Sequence, residues 1–308
     1  METTSTPQAA SAVTNPTVNE AYEYCRQVAK TQAKNFYFAF LPLPKAQRHA
    51  IYAVYAFSRF SDDYSDEARP VSSKRELLES HRRRLHEAYA SRPVGPAFVA
   101  LADAVQRYLI PRDYFDAIID GVLMDLTVSR YETFEDLRQY CYKVASVVGL
   151  ICIEIFGYRG GDEAKQHAID LGYAMQLVNI MRDVKEDAER DRIYIPQAEL
   201  RQFGYSEADL RAGVKNDAFR SLMRFQAERA RGYFASGSRL LPLVPRRTRV
   251  CPAVLRGLYS KVLDRIEARG YDVYQGRVSL PARQKLLLAG RLWVTTTLGP
   301  TPRSASSS

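Results

Sequence analysis

Leu171-Gly172-Tyr173-Ala174-Met175-Gln176-Leu177-Val178-Asn179-Ile180-Met181-Arg182, followed by Asp183-Val184-Lys185-Glu186-Asp187, decides the fold. The first part is apolar nearly all round, and a helix of that composition belongs in a protein core. The second part brings carboxylates four positions apart. Positions i and i+4 share one helix face, so Asp183 and Asp187 point the same way, and Asn179 extends the stripe one turn upstream. A second region repeats the pattern: the apolar run Ala50 to Phe60 leads into Asp62-Asp63-Tyr64-Ser65-Asp66, with Asp62 and Asp66 again four apart. One such run alone reads as a solvated helix end. Two of them on core helices read otherwise, because a buried carboxylate must be paired, protonated or metal-bound.

Working outward, the chain predicts helix after helix. The periodic segments lie at about 18–33, 46–60, 73–91, 96–108, 112–126, 134–156, 162–189, 206–212, 216–241, 253–269 and 282–297. Strand-type alternation is scarce, Gly and Pro fall mainly between segments, and no solenoid period repeats. Leu41-Pro42-Leu43-Pro44 breaks the chain between the first two helices. A loop, Arg190 to Pro196, follows the second acidic run and can close over a polar cavity mouth. No linker separates independent cores, so the expectation is a single all-α domain over 20–298, with a disordered leader (1–19) and tail (299–308).

Composition narrows the function. The 308 residues are 46% hydrophobic and 26% charged, ordinary for a globular protein. A net charge of +9 admits anionic partners, but no nucleic-acid motif accompanies it. No uninterrupted apolar run reaches membrane-spanning length. Cys25, Cys141, Cys152 and Cys251 lack metal-type or redox-type spacing and read as reduced core or lining thiols, which with the lack of a signal peptide points to the cytoplasm. Four histidines without clustered ligands make zinc a poor fit.

The chemistry that fits is diphosphate handling. Mg²⁺ takes oxygen ligands and is usually held by one or two carboxylates plus substrate phosphates. Two aspartate stripes on separate helices would clamp a diphosphate and make it a leaving group. Arg59 shares the face of the first stripe and Arg182 adjoins the second, as diphosphate donors or as salt-bridge partners of the neighbouring Asp. An allylic cation left behind needs water excluded and aromatic faces nearby. Phe36, Phe38, Phe40, Tyr52 and Tyr55 precede the first acidic run, as cation-facing wall or plain core. Ala145, Ser146 and Gly149 open a groove where a long apolar chain could lie.

With these residues in place, the chain resembles the squalene/phytoene synthase family. The resemblance rests on Asn35-Phe36-Tyr37-Phe38-Ala39-Phe40, Arg59 through Asp66, Tyr140 through Gly149, Gln176 through Asp187 and Arg192-Ile193-Tyr194-Ile195-Pro196. It implies an isoprenoid-synthase-type helical bundle around a central cavity. It also implies Mg²⁺-dependent head-to-head coupling of two prenyl diphosphates through a cyclopropyl carbinyl diphosphate. Carried over, Asp62, Asp66, Asn179, Asp183 and Asp187 are the metal-diphosphate residues. Tyr55, Arg59, Gln176, Arg182 and Tyr259 contact substrate, and Tyr140 handles a proton or stabilises the carbocation. Phe40, Val144, Ala145 and Gly149 shape the prenyl groove. The segment Gln32-Ala33-Lys34-Asn35 departs from the family pattern and keeps only Lys34 as a strong diphosphate donor.

Met124-Asp125-Leu126, Gly149 to Tyr158 and Arg265 to Val273 look closest to bacterial presqualene diphosphate synthases of hopanoid pathways. The leading expectation is therefore condensation of two farnesyl diphosphates to presqualene diphosphate, with squalene a further step. A phytoene synthase joining two geranylgeranyl diphosphates in carotenoid biosynthesis is the alternative. NADPH use stays open, since no nucleotide fingerprint appears. Release of an apolar product implies peripheral membrane contact. A class I terpene cyclase is disfavoured by aspartates at 183 and 187. A noncatalytic helical adaptor predicts that Asp62→Ala and Asp183→Ala leave Mg²⁺ and diphosphate binding unchanged.

Overall fold

The computed structural model describes residues 15–33, 36–66 and 68–298, with Asp66, Thr297 and Leu298 described by backbone alone. Residues 1–14 of the expected leader, the tail 299–308, and Lys34 and Asn35 lie outside the described residues. Among those described the chain is all-α, and its nearest approach to a strand is one isolated bridge between Arg130 and Ile193. The helices are α1 (Val18–Gln32), α2 (Tyr37–Phe40), α3 (Lys45–Asp66), α4 (Val71–Tyr89), α5 (Pro96–Tyr108), α6 (Arg112–Met124), α7 (Phe134–Cys141), α8 (Val147–Phe156), α9 (Asp162–Arg182), α10 (Val184–Glu189), α11 (Gln197–Gln202), α12 (Glu207–Ala212), α13 (Asp217–Ser238), α14 (Arg246–Ala268) and α15 (Ala282–Leu298).

Local chemistry sets several starts. Thr17 and Glu20, Thr133 and Asp136, and Ser206 and Asp209 form reciprocal capping boxes that satisfy the first N–H groups of α1, α7 and α12. Two helices then act as axes. α1, α4, α5, α6 and α8 pack around α3, while α7, α8, α13 and α14 pack around α9. Their apolar faces join in one core running from Ala21 to Leu280.

As expected, α3 finishes in the first acidic run, which forms its last turns. Two expected helices differ in detail. The predicted 162–189 helix breaks at Asp183, where φ is −101° and ψ is 15°, and resumes as α10. The predicted 134–156 helix passes through a wide π-helical segment, Tyr142–Ser146, between α7 and α8. That segment lies against α9 at backbone distance: a Cβ on Gly172 would meet the Ser146 Cα at 2.5 Å. The Ser146 hydroxyl donates to the Ile169 carbonyl at 2.8 Å. α2 and α11, four and six residues long, are too short for periodicity to reveal.

The stretch Phe134–Phe156 is long and apolar enough to cross a membrane by composition, at mean hydropathy 1.4, although no uninterrupted apolar run was expected to be. Half of it is buried inside the protein. The loop after α10 is pinned rather than loose: Ile193 N–H donates to the Ser129 carbonyl at 2.9 Å, Gln197 N–H to the Tyr131 carbonyl at 2.9 Å, and Ile193 to Pro196 are buried.

Candidate active site

Between the two axes lies a cavity of about 350 Å³. Its wall on α9 runs Asn179, Gln176, Met175, Gly172, Leu171, Ala168, a stretch of twelve residues that spans about 16 Å of helix. Facing it, α3 contributes Asp62, Ser58, Tyr55, Val54 and Ile51, while the π segment and α8 contribute Val144, Ala145, Val148 and Gly149. The polar groups occupy the C-terminal halves of α3 and α9, joined by Tyr259 of α14. Beyond Gly149 the wall is apolar, ending at Phe156, Leu240 and Pro252. A polar end and a long dry end suit an anionic head with an apolar chain.

The structure brings nine of the sixteen expected residues into this wall: Phe40, Tyr55, Asp62, Val144, Ala145, Gly149, Gln176, Asn179 and Tyr259. Phe40 is buried, its ring tilted against Tyr55 at 6.5 Å and edge-on to Tyr52 at 6.3 Å. Phe36 also faces the cavity and stacks on Tyr259 at 6.2 Å. These rings supply the aromatic side of the site. Asn179 presents a buried Oδ1 with no hydrogen-bond partner, while its Nδ2 donates to Gln176 Oε1 at 3.2 Å.

The others stand around the wall. Arg59 donates to Asp63, as the salt-bridge reading had it. Arg182 grips Asp183 through Nε at 2.8 Å and through a second guanidinium nitrogen. Arg277 grips the same carboxylate from the other side, at 2.9 and 3.0 Å. Burial presses the Asp183 pKa upward, but the two guanidiniums outweigh it and hold the group below its ordinary value. Asp187 lies in a small cleft with Arg192 and Tyr194, its pKa pushed up to about 7 by burial and then by the neighbouring Asp183. The Asp66 side chain and Lys34 lie outside the described residues.

Tyr140 does not line the cavity. It is buried in a cluster in which its hydroxyl donates to Asp125 Oδ2 at 3.1 Å and Tyr194 donates to Asp125 Oδ1 at 2.9 Å. Tyr140 and Tyr194 stack at 5.2 Å, Tyr131 and Tyr194 at 6.0 Å, and Arg192 donates to the Asp125 carbonyl at 3.1 Å. Burial, then the Asp125 charge, keeps the Tyr140 phenol protonated. Sequence reasoning missed Arg277, which sits in no acidic or aromatic pattern, and read Asp125 only as a subfamily mark.

Among the described residues no three His, Cys, Asp or Glu side chains gather into a ready metal cage. The donor set still fits Mg²⁺. The groups are hard oxygens, the orphaned Asn179 Oδ1 lacks a partner, and a cation of this kind draws much of its coordination from water and substrate phosphate.

The family model for squalene/phytoene synthase matches residues 29–284. A 15-cis-phytoene synthase of Synechocystis sp. is 41% identical over 288 residues, covering 90% of this chain and 86% of that protein. One of Synechococcus elongatus is 40% identical over 280 residues, covering 87% and 91%. Among solved structures, squalene synthase HpnC from Alicyclobacillus acidocaldarius superposes with a TM-score of 0.79 at 31% identity, covering 83% of this chain and 96% of its own. A dehydrosqualene synthase in complex with a ligand gives 0.83 at 27%, covering 89% and 96%.

Proposed function

Since this chain belongs to the squalene/phytoene synthase family, we propose that it joins two geranylgeranyl diphosphates head to head to give phytoene. The observation that carries this reading over a farnesyl substrate is the 40 to 41% identity to two phytoene synthases along nearly the whole chain. The sequence motifs led with farnesyl diphosphate and presqualene diphosphate. That order is reversed here, and a fifteen-carbon substrate becomes the second reading, favoured by the bulk of Phe40 in the wall and the likeness to squalene synthase HpnC.

In this reading Asp62, Asn179, Asp183 and Asp187, with Asp66, hold Mg²⁺, which when bound supplies the positive charge that lets a diphosphate leave. The chain's own residues do the rest. Gln176 and Asn179 set the head group against the ends of α3 and α9. Val144, Ala145, Val148 and Gly149 take the prenyl chain and keep water from the reacting carbon. Phe36, Phe40, Tyr55 and Tyr259 turn ring faces and edges toward the cavity, where an allylic cation is stabilised by their π faces. Tyr140, held protonated against Asp125, fixes the loop that carries Tyr194 beside Asp187.

The test is incubation of the purified protein with Mg²⁺ and geranylgeranyl or farnesyl diphosphate, each with and without NADPH, and mass identification of products. The expected result is a forty-carbon hydrocarbon from geranylgeranyl diphosphate without reductant. Thirty-carbon products alone would install the second reading.

A further inference from the structure

α3 carries three serines in its second half, and their hydroxyls do different things. Ser61 Oγ donates to the Phe57 carbonyl at 3.2 Å and Ser65 Oγ to the Asp62 carbonyl at 3.0 Å, each closing a bond within its own helix. The Ser58 hydroxyl is buried and has no hydrogen-bond partner among the described residues. Of the three serines, Ser58 is the one that lines the central cavity. A buried hydroxyl without a partner is costly, and in a cavity wall it is accounted for when a ligand completes it.

The level of Ser58 in the wall selects the ligand atom. Asp62 stands one turn further along α3, about 6 Å up the axis, while Tyr55 and Val54 stand one turn back and Ile51 lies deeper. On α9, Gln176 and Asn179 are polar, and the apolar stretch begins at Met175 and Gly172. Ser58 thus marks the border between the polar end and the dry end. Beside it in the chain, Arg59 Nε is a second buried donor without a partner. Two orphaned donors call for an anionic acceptor, just as the orphaned Asn179 Oδ1 calls for a cation. A Mg²⁺-bound prenyl diphosphate meets both demands, and its atom at the border of phosphate and carbon chain is the ester oxygen. A serine hydroxyl swings about a single side-chain bond, so it can reach that oxygen without moving the helix.

We propose that Ser58 is a further catalytic residue, whose hydroxyl donates to the ester oxygen of the prenyl diphosphate, the oxygen that departs when the allylic C–O bond breaks. The electron pair of that bond passes to the oxygen, the proton stays on Ser58, and the hydrogen bond tightens as negative charge builds. The assignment rests on the coupling reading above and adds to it a donor that comes from the protein rather than from the metal.

Ser58→Ala and Ser58→Cys, with Ser61→Ala as control, are compared with the wild-type protein by urea unfolding and by steady-state turnover, with Mg²⁺, of whichever prenyl diphosphate the wild type accepts. Expected for Ser58→Ala is a kcat lower by about tenfold or more at an unchanged KM, since the bond is made in full only in the transition state. Its unfolding midpoint should match or exceed the wild-type value, because an unsatisfied hydroxyl is removed. Ser58→Cys puts a weak donor in the same place and should recover part of the loss. Ser61→Ala gives up a bond within the helix and should keep wild-type turnover. Turnover of Ser58→Ala within about twofold of wild type, or a raised KM at unchanged kcat, overturns the assignment. So does a lowered midpoint, which would reveal a partner for the hydroxyl in the free protein. A wild type inert toward geranylgeranyl and farnesyl diphosphate alike overturns the coupling reading itself, whereas an active wild type beside an undiminished Ser58→Ala overturns the assignment alone.

Discussion

Asp62 on α3 and Asp183 after α9 occupy corresponding places in two like-patterned runs, yet Asp62 is exposed in the cavity wall while Asp183 is clamped between Arg182 and Arg277. The first run continues its helix unbroken. The second breaks it at Asp183, keeping the one-turn register through two backbone bonds, Asp183 N–H to the Asn179 carbonyl and Asp187 N–H to the Asp183 carbonyl, each at 2.9 Å. The spacing of carboxylates therefore sets which way they point, and the neighbours set how tightly they are held. One site draws on both: a solvent-facing carboxylate on α3 and a carboxylate tied by two guanidiniums after α9.

Asp183→Ala should separate the two sides most sharply. It removes a metal-diphosphate carboxylate and leaves Arg182, largely buried, without its counter-charge. Turnover should fall by about 10³-fold, and stability by roughly 3 kcal/mol, read by product assay and urea unfolding. Asp62→Ala should cost turnover nearly as much, about 10²-fold or more, with an unfolding midpoint close to wild type. Equal stability losses in the two variants would erase the distinction. Inorganic diphosphate binding with Mg²⁺, by calorimetry, should weaken in both, and chelation of Mg²⁺ should abolish it.

Arg277→Gln releases one of the two guanidiniums on Asp183 and should raise KM or lower turnover by about tenfold, with little change in stability because Arg277 is 60% exposed. The smallest effect tests the footing of α3. His81 stacks on Phe57 of α3 at 4.5 Å and is buried, its pKa lowered to about 4 by burial. The unfolded chain takes up the proton near the ordinary histidine value of about 6.5. Stability is thus intact above that pH and declines as pH falls toward 4, by on the order of 3 kcal/mol. His81→Phe should flatten that acid arm in urea titrations, and the Phe57 carbonyl keeps a donor in Ser61 at 3.2 Å.

Much of this was legible in the sequence. The apolar runs before Asp62 and Asp183 placed both helices in the core, and Ala145 and Gly149 marked the groove, because helical periodicity and side-chain size are local properties. The clamp on Asp183 was not legible. Arg277 lies 94 positions away in a loop with no pattern of its own. The break at Asp183 and the wide turn at Tyr142–Ser146 were likewise hidden, since both answer to packing against other helices. The role of Tyr140 in proton handling or cation stabilisation came from the resemblance alone, and no local pattern announced its burial beside Asp125 and Tyr194, just before the wide turn.

The contact between Gly172 and Ser146 has a bearing on redesign. There the two backbones already touch, so no side-chain substitution can move that partition outward, and any residue larger than glycine must push it apart. Changes in product size have to be made across the chamber, at Phe40 or Leu255, where a side chain rather than the main chain forms the boundary. One wall of the chamber is masonry and the opposite one is furniture, and a library aimed at new chain lengths should be confined to the second.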